Sequence, residues 1–347
     1  MPEMMKALRK TFPGAGAELK EIAIPRVDKG LVLVKVEIAA ICGSDQAVYR
    51  WSKNIAVNTE LPFTMGHEYC GTVVEVGDGV QNFMVGDRVV GETHVPCGKC
   101  YMCRGGNQHL CVNMRNIGKT YQGCFAEYIL VPESCLIKID QTVDPRVGAI
   151  MEPLGVAVHA LQKTSPCGGT LAVLGCGPIG LMTINASKQM GAHTVFSTSR
   201  SPAKLKMAEK MGADYQINSG QDDVIDAIKA LTNGGGVDVV IEASGSNEAF
   251  LEGLEILKNQ GRFCLLGIPT APIQFDADRY LIRKELNITG IWGRKMYSTW
   301  LLVEQFIASG KLDLDPLLGS TYELEDYASA FEKAASGTVQ RIFLNPV

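Results

Sequence analysis

Four cysteines in the first third of the sequence lie close enough together to bind one metal ion. They have the spacing C-x2-C-x2-C-x7-C and are Cys97, Cys100, Cys103 and Cys111. Four thiolates can enclose a Zn²⁺ ion tetrahedrally and leave no coordination position open, which is typical of a structural site. Spacings of this kind overlap with those around iron–sulfur clusters, so an iron–sulfur centre is the alternative.

A glycine-rich turn later in the chain has the composition of a phosphate-binding loop. Residues 175–180 read Gly-Cys-Gly-Pro-Ile-Gly, after the apolar run 170–175 and before a helical pattern. In such a loop the first glycine permits a tight turn, the second lets the backbone approach a pyrophosphate, and the third lets the helix pack on the strand. A glycine-rich turn in another parallel-sheet protein is the alternative. The predicted dinucleotide-binding residues are Gly175, Gly177, Pro178, Ile179 and Gly180.

The residues after the next strand pattern indicate which dinucleotide binds. An NAD site normally has Asp or Glu about 20 residues beyond the glycines, where this chain has Ser199 followed by Arg200. A carboxylate there would repel a 2′-phosphate, whereas Ser can hydrogen-bond it and Arg can pair with it. We therefore predict NADP, and NAD held without a carboxylate is the alternative.

A second set of metal-ligating residue types is dispersed along the chain. It comprises Cys42, His67, Glu68 and Glu152. Taken singly, a cysteine or histidine in such surroundings is more often a core or surface residue than a ligand. The set therefore points to a metal site only in combination.

The elements that must position these residues differ between two parts of the chain. Short β-strand patterns broken by Gly, Asp, Pro and Asn occupy the first 150 residues, and apolar strand patterns alternate with helical ones from about residue 154. Such alternation indicates a parallel sheet covered on both faces, and hence a doubly wound nucleotide-binding domain. After about residue 294 a helical pattern and a closing strand remain, so we expect the tail to return to the first domain. The predicted strands are 31–39, 71–77, 87–91, 125–131, 170–175, 194–198, 237–245, 262–267 and 287–293, with helices at 181–192 and 202–213.

Length and composition exclude several classes of protein. At 347 residues the chain is too long for one ordinary domain, and its 33 basic and 37 acidic side chains give a net charge of −4, which argues against a nucleic-acid or anionic-membrane binder. No apolar run reaches the length of a membrane helix, and the start has no apolar signal core, so we expect a cytoplasmic protein. In that setting, crowding of four of the eleven cysteines favours metal binding over a disulfide framework.

Taken together, these motifs resemble the zinc-dependent medium-chain dehydrogenase family, the relatives of alcohol dehydrogenase. The resemblance extends over essentially the whole chain, through Cys-Gly-Ser-Asp at 42–45, Gly-His-Glu at 66–68, Val-Gly-Asp-Arg-Val at 85–89, the four-cysteine lobe, Gly-Cys-Phe-Ala-Glu-Tyr at 123–128, Glu-Pro-Leu at 152–154 and the glycine turn. It implies an α/β fold in which a doubly wound domain is inserted into a β-rich, chaperonin-like (GroES-like) catalytic domain. The expected boundaries are 1–153 for the catalytic domain with its zinc lobe at about 95–113, 154–293 for the nucleotide-binding domain, and 294–347 for the return.

The resemblance also implies roles for the dispersed residues. Cys42 and His67 would be ligands of a catalytic zinc, Glu68 a ligand or a close neighbour of the ligands, and Glu152 a ligand directly or through water. That zinc would lower the pKa of a substrate hydroxyl, and the alkoxide would release hydride to the nicotinamide. Two zinc ions per chain and a homotetramer or homodimer are expected on the same basis.

Proton transfer and orientation would fall to three further residues. The resemblance implies that Ser44 passes the substrate proton toward solvent, with His94 as a further candidate. It implies that Asp45 orients the ring of His67, because metal-bound imidazoles usually donate their second N–H to an acceptor.

Two branches of the family compete for the substrate. Thr93 and His94, Trp51 and the segment 290–300 look like threonine 3-dehydrogenase, whereas Glu152 looks like sorbitol and other polyol dehydrogenases. The threonine enzymes carry a His five residues after the Cys ligand, where this chain has Ala47. We therefore predict a small polar secondary alcohol as substrate. NAD-dependent threonine oxidation and a non-catalytic NADPH-binding protein are the alternatives.

Overall fold

The computed structural model describes residues 3–52, 59–269 and 271–346. Its chain divides into two compact units, one comprising the residues up to Glu152 together with those from Leu318 onward, and the other running from Pro153 to Leu317. The return to the first unit therefore comes at Leu318, later than the predicted residue 294.

The later return has a physical reason in the packing of Arg294. The Arg294 side chain is buried, stands 2.6 Å from where a Cβ on Gly155 would lie, and has its guanidinium carbon 5.4 Å from the ring centroid of Trp300. The hydroxyl of Thr299 donates to Gln162 Oε1 at 3.0 Å. These contacts keep the segment within the second unit.

The first unit is built on antiparallel sheets. The strands are β1 (Met4–Lys10), β2 (Glu18–Ala23), β3 (Leu31–Ala40), β4 (Phe63–Thr64), β5 (Glu68–Val76), β6 (Arg88–Gly91), β7 (His94–Val95), β8 (Arg115–Asn116), β9 (Tyr128–Pro132), β10 (Leu136–Lys138), β17 (Leu318–Glu323) and β18 (Arg341–Asn345). One sheet has the order β2-β1-β4, and a larger one has the order β10-β6-β5-β3-β18-β17, with β9 also paired to β3. Within the larger sheet, β17 and β18 are parallel. The helices are α1 (Gly43–Tyr49), α2 (Tyr101–Arg104) and α9 (Tyr327–Ala335).

The core of this unit follows from the alternation of side chains along its strands. Val32, Val34 and Val36 of β3 point to one face and are fully buried in a cluster that also contains Phe125 and Phe331. Burial of such β-branched and aromatic side chains is the main force that holds the sheet in register.

The second unit contains a six-stranded sheet that is parallel throughout. Its strands are β11 (Thr170–Leu174), β12 (Thr194–Thr198), β13 (Tyr215–Ile217), β14 (Val237–Glu242), β15 (Leu257–Leu265) and β16 (Asn287–Gly290). They have the order β13-β12-β11-β14-β15-β16, which is the doubly wound order, in which the direction of strand addition reverses beside the first strand. The helices are α4 (Pro178–Gln189), α5 (Pro202–Lys210), α6 (Val224–Leu231), α7 (Asn247–Ile256) and α8 (Ser298–Ala308).

One long helix, α3 (Pro145–Thr164), was not predicted from the sequence. Most of its residues from Ala149 to Leu161 are buried, so it shows no polar face. It also contains Pro153 in its interior, and an internal proline is a signal that usually ends a helix. Among the described residues, no helix combines the length and apolar character needed to cross a bilayer.

Candidate metal and coenzyme sites

Three of the dispersed residues come together in the first unit. One sulfur, nitrogen or oxygen atom from each of Cys42, His67 and Glu68 lies within 4.8 Å of the others. Ala40 of β3 pairs with Glu68, the first residue of β5, so the chain just beyond β3 lies beside the segment that enters β5. The antiparallel register of these two strands therefore assembles the cluster.

Asp45 fixes two members of this cluster. Its Oδ2 accepts from the backbone N–H of Cys42 at 2.9 Å, and its Oδ1 lies 3.3 Å from His67 Nδ1. Burial alone would lower the pKa of His67, but the charges of Asp45 and Cys42 outweigh it and raise that pKa well above 6.5. With Nδ1 directed at Asp45, Nε2 is the ring nitrogen left to bind a metal.

Glu68 forms a buried ion pair that sequence reasoning missed. Arg341 Nη2 donates to Glu68 Oε2, and both side chains are at most 5 % exposed. Glu68 Oε1 is buried, and within the described residues it has no hydrogen-bond donor. Because an unsatisfied buried carboxylate oxygen is costly, this atom is chemically suited to a cation.

Glu152 lies near this cluster but does not join it at ligand distance. It is 8 % exposed and accepts a hydrogen bond of 2.5 Å from Thr93 Oγ1, and the set of mutually close ligand atoms does not include it. Burial raises the pKa of Glu68 against the opposing effect of Arg341, and the charges of Glu152 and Asp45 raise it further. The carboxylates of Glu68, Glu152 and Asp45 therefore create a negative electrostatic potential around the cluster.

The two predicted proton-transfer residues occupy different surroundings. Ser44 is exposed on the first turn of α1, three residues before Ala47. His94 is 5 % exposed, and its Nδ1 lies 2.6 Å from Glu92 Oε1. Glu92 Oε1 also accepts from the backbone N–H of His94, so this histidine is held in one orientation.

The four cysteines of the lobe converge on a common centre. Their sulfurs all lie within 4.8 Å of one another, with Cys100 Sγ 3.4 Å from Cys103 Sγ and 3.8 Å from Cys111 Sγ. A tetrahedral zinc site with bonds of about 2.3 Å separates its sulfurs by about 3.8 Å, whereas a disulfide joins them at about 2 Å. The spacing of the sulfurs fits a metal and excludes a disulfide.

Backbone N–H groups stabilise the thiolate form of one cysteine in this lobe, Cys97. The N–H groups of Lys99 and Cys100 lower the pKa of Cys97 to about 6, whereas burial and the neighbouring thiols raise that of Cys103 to about 12. Four thiolates this close repel one another, so full ionisation requires a bound cation.

The glycine turn joins β11 to α4 in the second unit. Gly175 has a φ of +105°, and a Cβ there would lie 2.9 Å from the backbone nitrogen of Ser244. A Cβ on Gly180 would lie 2.0 Å from Gly175 O, whereas one on Gly177 would meet nothing within 4 Å. Pro178 and Ile179 begin the helix, so Gly177 leaves its N-terminus accessible to an anion.

A cavity of about 510 Å³ opens from this turn. Ser199 and Arg200 line it directly after the end of β12, as does Lys204 in the first turn of α5. Among the described residues, Arg200 has no carboxylate within salt-bridge distance. Lys204 was missed, although its position just after the second strand of a dinucleotide fold was a usable signal.

Two glutamates of α7 line the same cavity. They are Glu248 and Glu252, four residues apart on one helix face. Burial raises the pKa of Glu252 to about 7, and the charges of Glu248 and Asp223 add to that rise. The sequence did not predict that either glutamate lines the cavity, because the residues of α7 alone do not show which side of the helix borders it.

Comparison with known proteins matches both units to one family. The family model described as "Alcohol dehydrogenase GroES-like domain" matches residues 28–141, and the one described as "Zinc-binding dehydrogenase" matches residues 178–309. The L-threonine 3-dehydrogenase of Bacillus subtilis is 41 % identical over 342 residues, which cover 99 % of each chain. That of Pyrococcus horikoshii is 39 % identical over 343 residues, again with 99 % of each chain covered.

Solved structures agree over the whole chain. A protein from Sinorhizobium meliloti, described as a zinc-binding dehydrogenase and bound to NADP, has a TM-score of 0.92 at 31 % identity, with 99 % of this chain and 100 % of that chain covered. The 2R,3R-butanediol dehydrogenase of Bacillus subtilis has a TM-score of 0.89 at 30 % identity and the same coverage. The chain therefore belongs to the zinc-binding dehydrogenases of the alcohol dehydrogenase family, near the threonine 3-dehydrogenase branch, and it is an oxidoreductase.

Proposed function

We propose that this enzyme transfers a hydride between NADP(H) and a small polar secondary alcohol or the corresponding ketone. The observation that carries the proposal is the cluster of half-buried Cys42 with buried His67 and Glu68, in which Glu68 Oε1 has no hydrogen-bond partner among the described residues. A thiol, an imidazole and a carboxylate form a donor set that suits zinc. Glu152 would approach this site through water, because it is outside the group of close ligand atoms.

Residues next to the cluster would orient the side chains that hold the metal. Zinc held there would supply Lewis-acid polarisation of a substrate oxygen. Asp45 would hold the His67 ring through Nδ1, and Arg341 would keep Glu68 ionised and oriented. The backbone N–H of Cys42 donates to Asp45 Oδ2, and this hydrogen bond would hold the Cys42 sulfur in place beside His67.

The proton released by an alcohol needs a path to solvent. We propose that the Ser44 hydroxyl accepts it first, because this residue lies two positions after Cys42 and is exposed. Ala47 cannot titrate, so the path would end on water or on His94. Glu92 Oε1, which lies 2.6 Å from His94 Nδ1, would hold the ring of that histidine in one orientation.

Two features support NADP as the coenzyme. Ser199 directly follows the second strand, where an NAD site normally has a carboxylate, and Arg200 and Lys204 line the same cavity. The Sinorhizobium meliloti relative is bound to NADP.

We further propose a structural zinc at Cys97, Cys100, Cys103 and Cys111, which makes two zinc ions per chain. A homotetramer or homodimer stays a prediction.

A comparison of substrates and coenzymes tests the proposal. Initial rates would be measured with NADP⁺ and NAD⁺ over threonine, polyols, sugar phosphates, hydroxy acids and simple secondary alcohols. We expect the highest kcat/KM for NADP⁺ with a polar secondary alcohol, and loss of turnover with retained coenzyme binding in Cys42→Ser. Preference for a primary alcohol, or full turnover by Cys42→Ser, would contradict the proposal.

A second candidate is L-threonine oxidation with NAD. It is favoured by the relatives of 38 to 41 % identity that are named L-threonine 3-dehydrogenase. Ala47, Ser199 and Arg200 argue against it, because they differ from the pattern expected for that branch. A kcat/KM for threonine with NAD⁺ above that of every other pair in the panel would establish this candidate. A non-catalytic NADPH-binding protein finds no support, since the relatives and the chain share a dehydrogenase family.

A further inference from the structure

The first unit contains a cavity whose lining includes no residue that we assign to the metal sites or to the coenzyme. Its volume is about 350 Å³, and its walls come from β1, β2, β4, β8, β9, Pro25 and residues 121–123. Cavities of about 300 to 1,000 Å³ are the usual size for small-molecule sites. None of the residues in the metal clusters described above lines it.

Apolar side chains form most of the wall. Met5 and Ile22, which are paired across β1 and β2, belong to a small hydrophobic cluster that also contains Tyr128. This cluster is separate from the main core of the unit. A ligand for the cavity therefore needs an apolar body.

Two arginines line the cavity without a carboxylate beside them. They are Arg9 and Arg115, and no Asp or Glu occurs among the described residues that line it. The backbone of Arg9 lies opposite Glu18, but the carboxylate of Glu18 accepts from Thr11 and pairs with Lys20. The cavity thus holds positive charge that the described chain does not neutralise.

Arg9 is the more buried of the two cations. Burial lowers the pKa of its guanidinium, and no nearby charge offsets that effect. Within the described part of the chain it has neither a hydrogen-bond acceptor nor an ion pair. A partly desolvated cation of this kind gains free energy when an anion enters beside it.

Two hydrogen bonds and a ring contact hold the Arg115 guanidinium in place and use only some of its N–H groups. Its Nε and Nη2 donate to Thr120 O at 3.2 and 3.1 Å, and its guanidinium carbon lies 4.7 Å from the ring centroid of Tyr121. These contacts leave the N–H groups of Nη1 for a ligand. Gln122 Oε1 accepts from the backbone N–H of Thr64 at 2.9 Å, so its amide is also fixed and its NH2 group is a further donor.

We propose that this cavity binds a small organic anion with a carboxylate head and an apolar body. The planar guanidinium groups of Arg9 and Arg115 match the planar geometry of a carboxylate. The wall formed by Met5, Ile22 and Tyr128 would enclose the apolar part. The site is separate from the residues that we assign to metal and coenzyme.

Calorimetric titration of the full-length, zinc-loaded enzyme with benzoate tests the proposal. Benzamide, which has the same shape without the charge, and inorganic phosphate, which has no apolar body, are the comparison ligands. We expect one benzoate per chain, and at least tenfold weaker binding of both comparison ligands. Absence of benzoate binding, or equal binding of benzamide or phosphate, overturns the proposal.

Variants locate the bound anion. Arg9→Gln and Arg115→Gln should each weaken benzoate binding at least tenfold, and Arg9→Lys should weaken it less than Arg9→Gln. Arg283→Gln is the matched control, because its side chain is 72 % exposed in the other unit. If Arg9→Gln does not fold, the exposed Arg115 still supplies the test. Benzoate affinity unchanged in Arg115→Gln shows that the anion binds elsewhere, for example at the zinc, and overturns the proposal.

Discussion

Arg341 and Glu68 form a buried ion pair although 273 positions separate them in the chain. The pair places a cation from the C-terminal strand β18 against the first residue of β5. It occupies Oε2 of Glu68, whereas Oε1 is buried and has no hydrogen-bond partner among the described residues. The last strand of the chain therefore takes part in the electrostatics of the candidate metal site.

Removal of Arg341 should destabilise the metal-free protein strongly. Arg341→Met leaves Glu68 as an uncompensated buried charge, which typically costs about 3 to 5 kcal/mol. Denaturant unfolding before and after chelation measures the effect, and the loss should be smaller with zinc bound because the ion compensates Glu68. The double variant Arg341→Met with Glu68→Gln should recover part of the stability. Equal stability of Arg341→Met and the unchanged protein would refute the electrostatic role.

Replacement of Asp45 should weaken metal binding at the dispersed cluster. Asp45→Asn removes the charge that faces His67 Nδ1, and loss of such a partner typically lowers metal affinity by about 10- to 100-fold. Competition with a chromogenic chelator measures the affinity. Asp78→Asn serves as the control, because Asp78 lies in the turn that follows Val76, at the end of β5 opposite to Glu68. An affinity within twofold of the unchanged enzyme would show that Asp45 does not orient the ligand.

Exchange of the residues after β12 should reverse the coenzyme preference. The double variant Ser199→Asp with Arg200→Ala supplies an acceptor for a ribose hydroxyl and removes a partner for a phosphate. The ratio of kcat/KM for NADP⁺ to that for NAD⁺ should fall at least tenfold. Lys206→Ala, on the exposed face of α5, is the control. The NADP assignment fails if the ratio stays the same in the double variant.

Glu252 should make coenzyme binding weaken as the pH rises. Its pKa is raised to about 7, so the carboxyl is neutral below that pH and negative above it, where it repels the anionic coenzyme. Because much of the side chain meets solvent, the effect is about 0.5 kcal/mol for charges roughly 8 Å apart in water, or about twofold in affinity. Fluorescence titration of NADPH at pH 6 and pH 8 with the enzyme and with Glu252→Gln isolates this contribution. Parallel pH profiles for the two proteins would count against it.

Loss of one lobe cysteine should remove one zinc ion per chain. Cys103→Ser takes away a sulfur that lies 3.4 Å from Cys100 Sγ, and three thiolates hold the ion less tightly than four. Metal analysis by mass spectrometry and protease sensitivity of residues 95–113 measure the outcome. Cys167→Ser is the matched control, since Cys167 is exposed and outside both clusters. Iron in place of zinc in the unchanged protein would support the iron–sulfur alternative instead.

Features that depend on neighbouring residues could be predicted from the sequence. The alternation of apolar strands and helices predicted the parallel sheet, and the strand predicted at 194–198 is Thr194–Thr198 in the structure. The glycine spacing predicted the turn before α4, where Gly180 packs against Gly175. The spacing of the four cysteines predicted that they would converge. In each case a few residues determine the local geometry through backbone sterics and side-chain period.

Features that depend on strand pairing were decided only by the tertiary structure. The register of β3 with β5 brings Cys42 to His67 and Glu68, and the addition of β18 to the same sheet brings in Arg341. The pattern of α3 could not be recognised because its buried positions surround the helix and it contains Pro153. No local period encodes such contacts, because the free energy that selects them comes from burial and charge pairing between residues far apart in the chain.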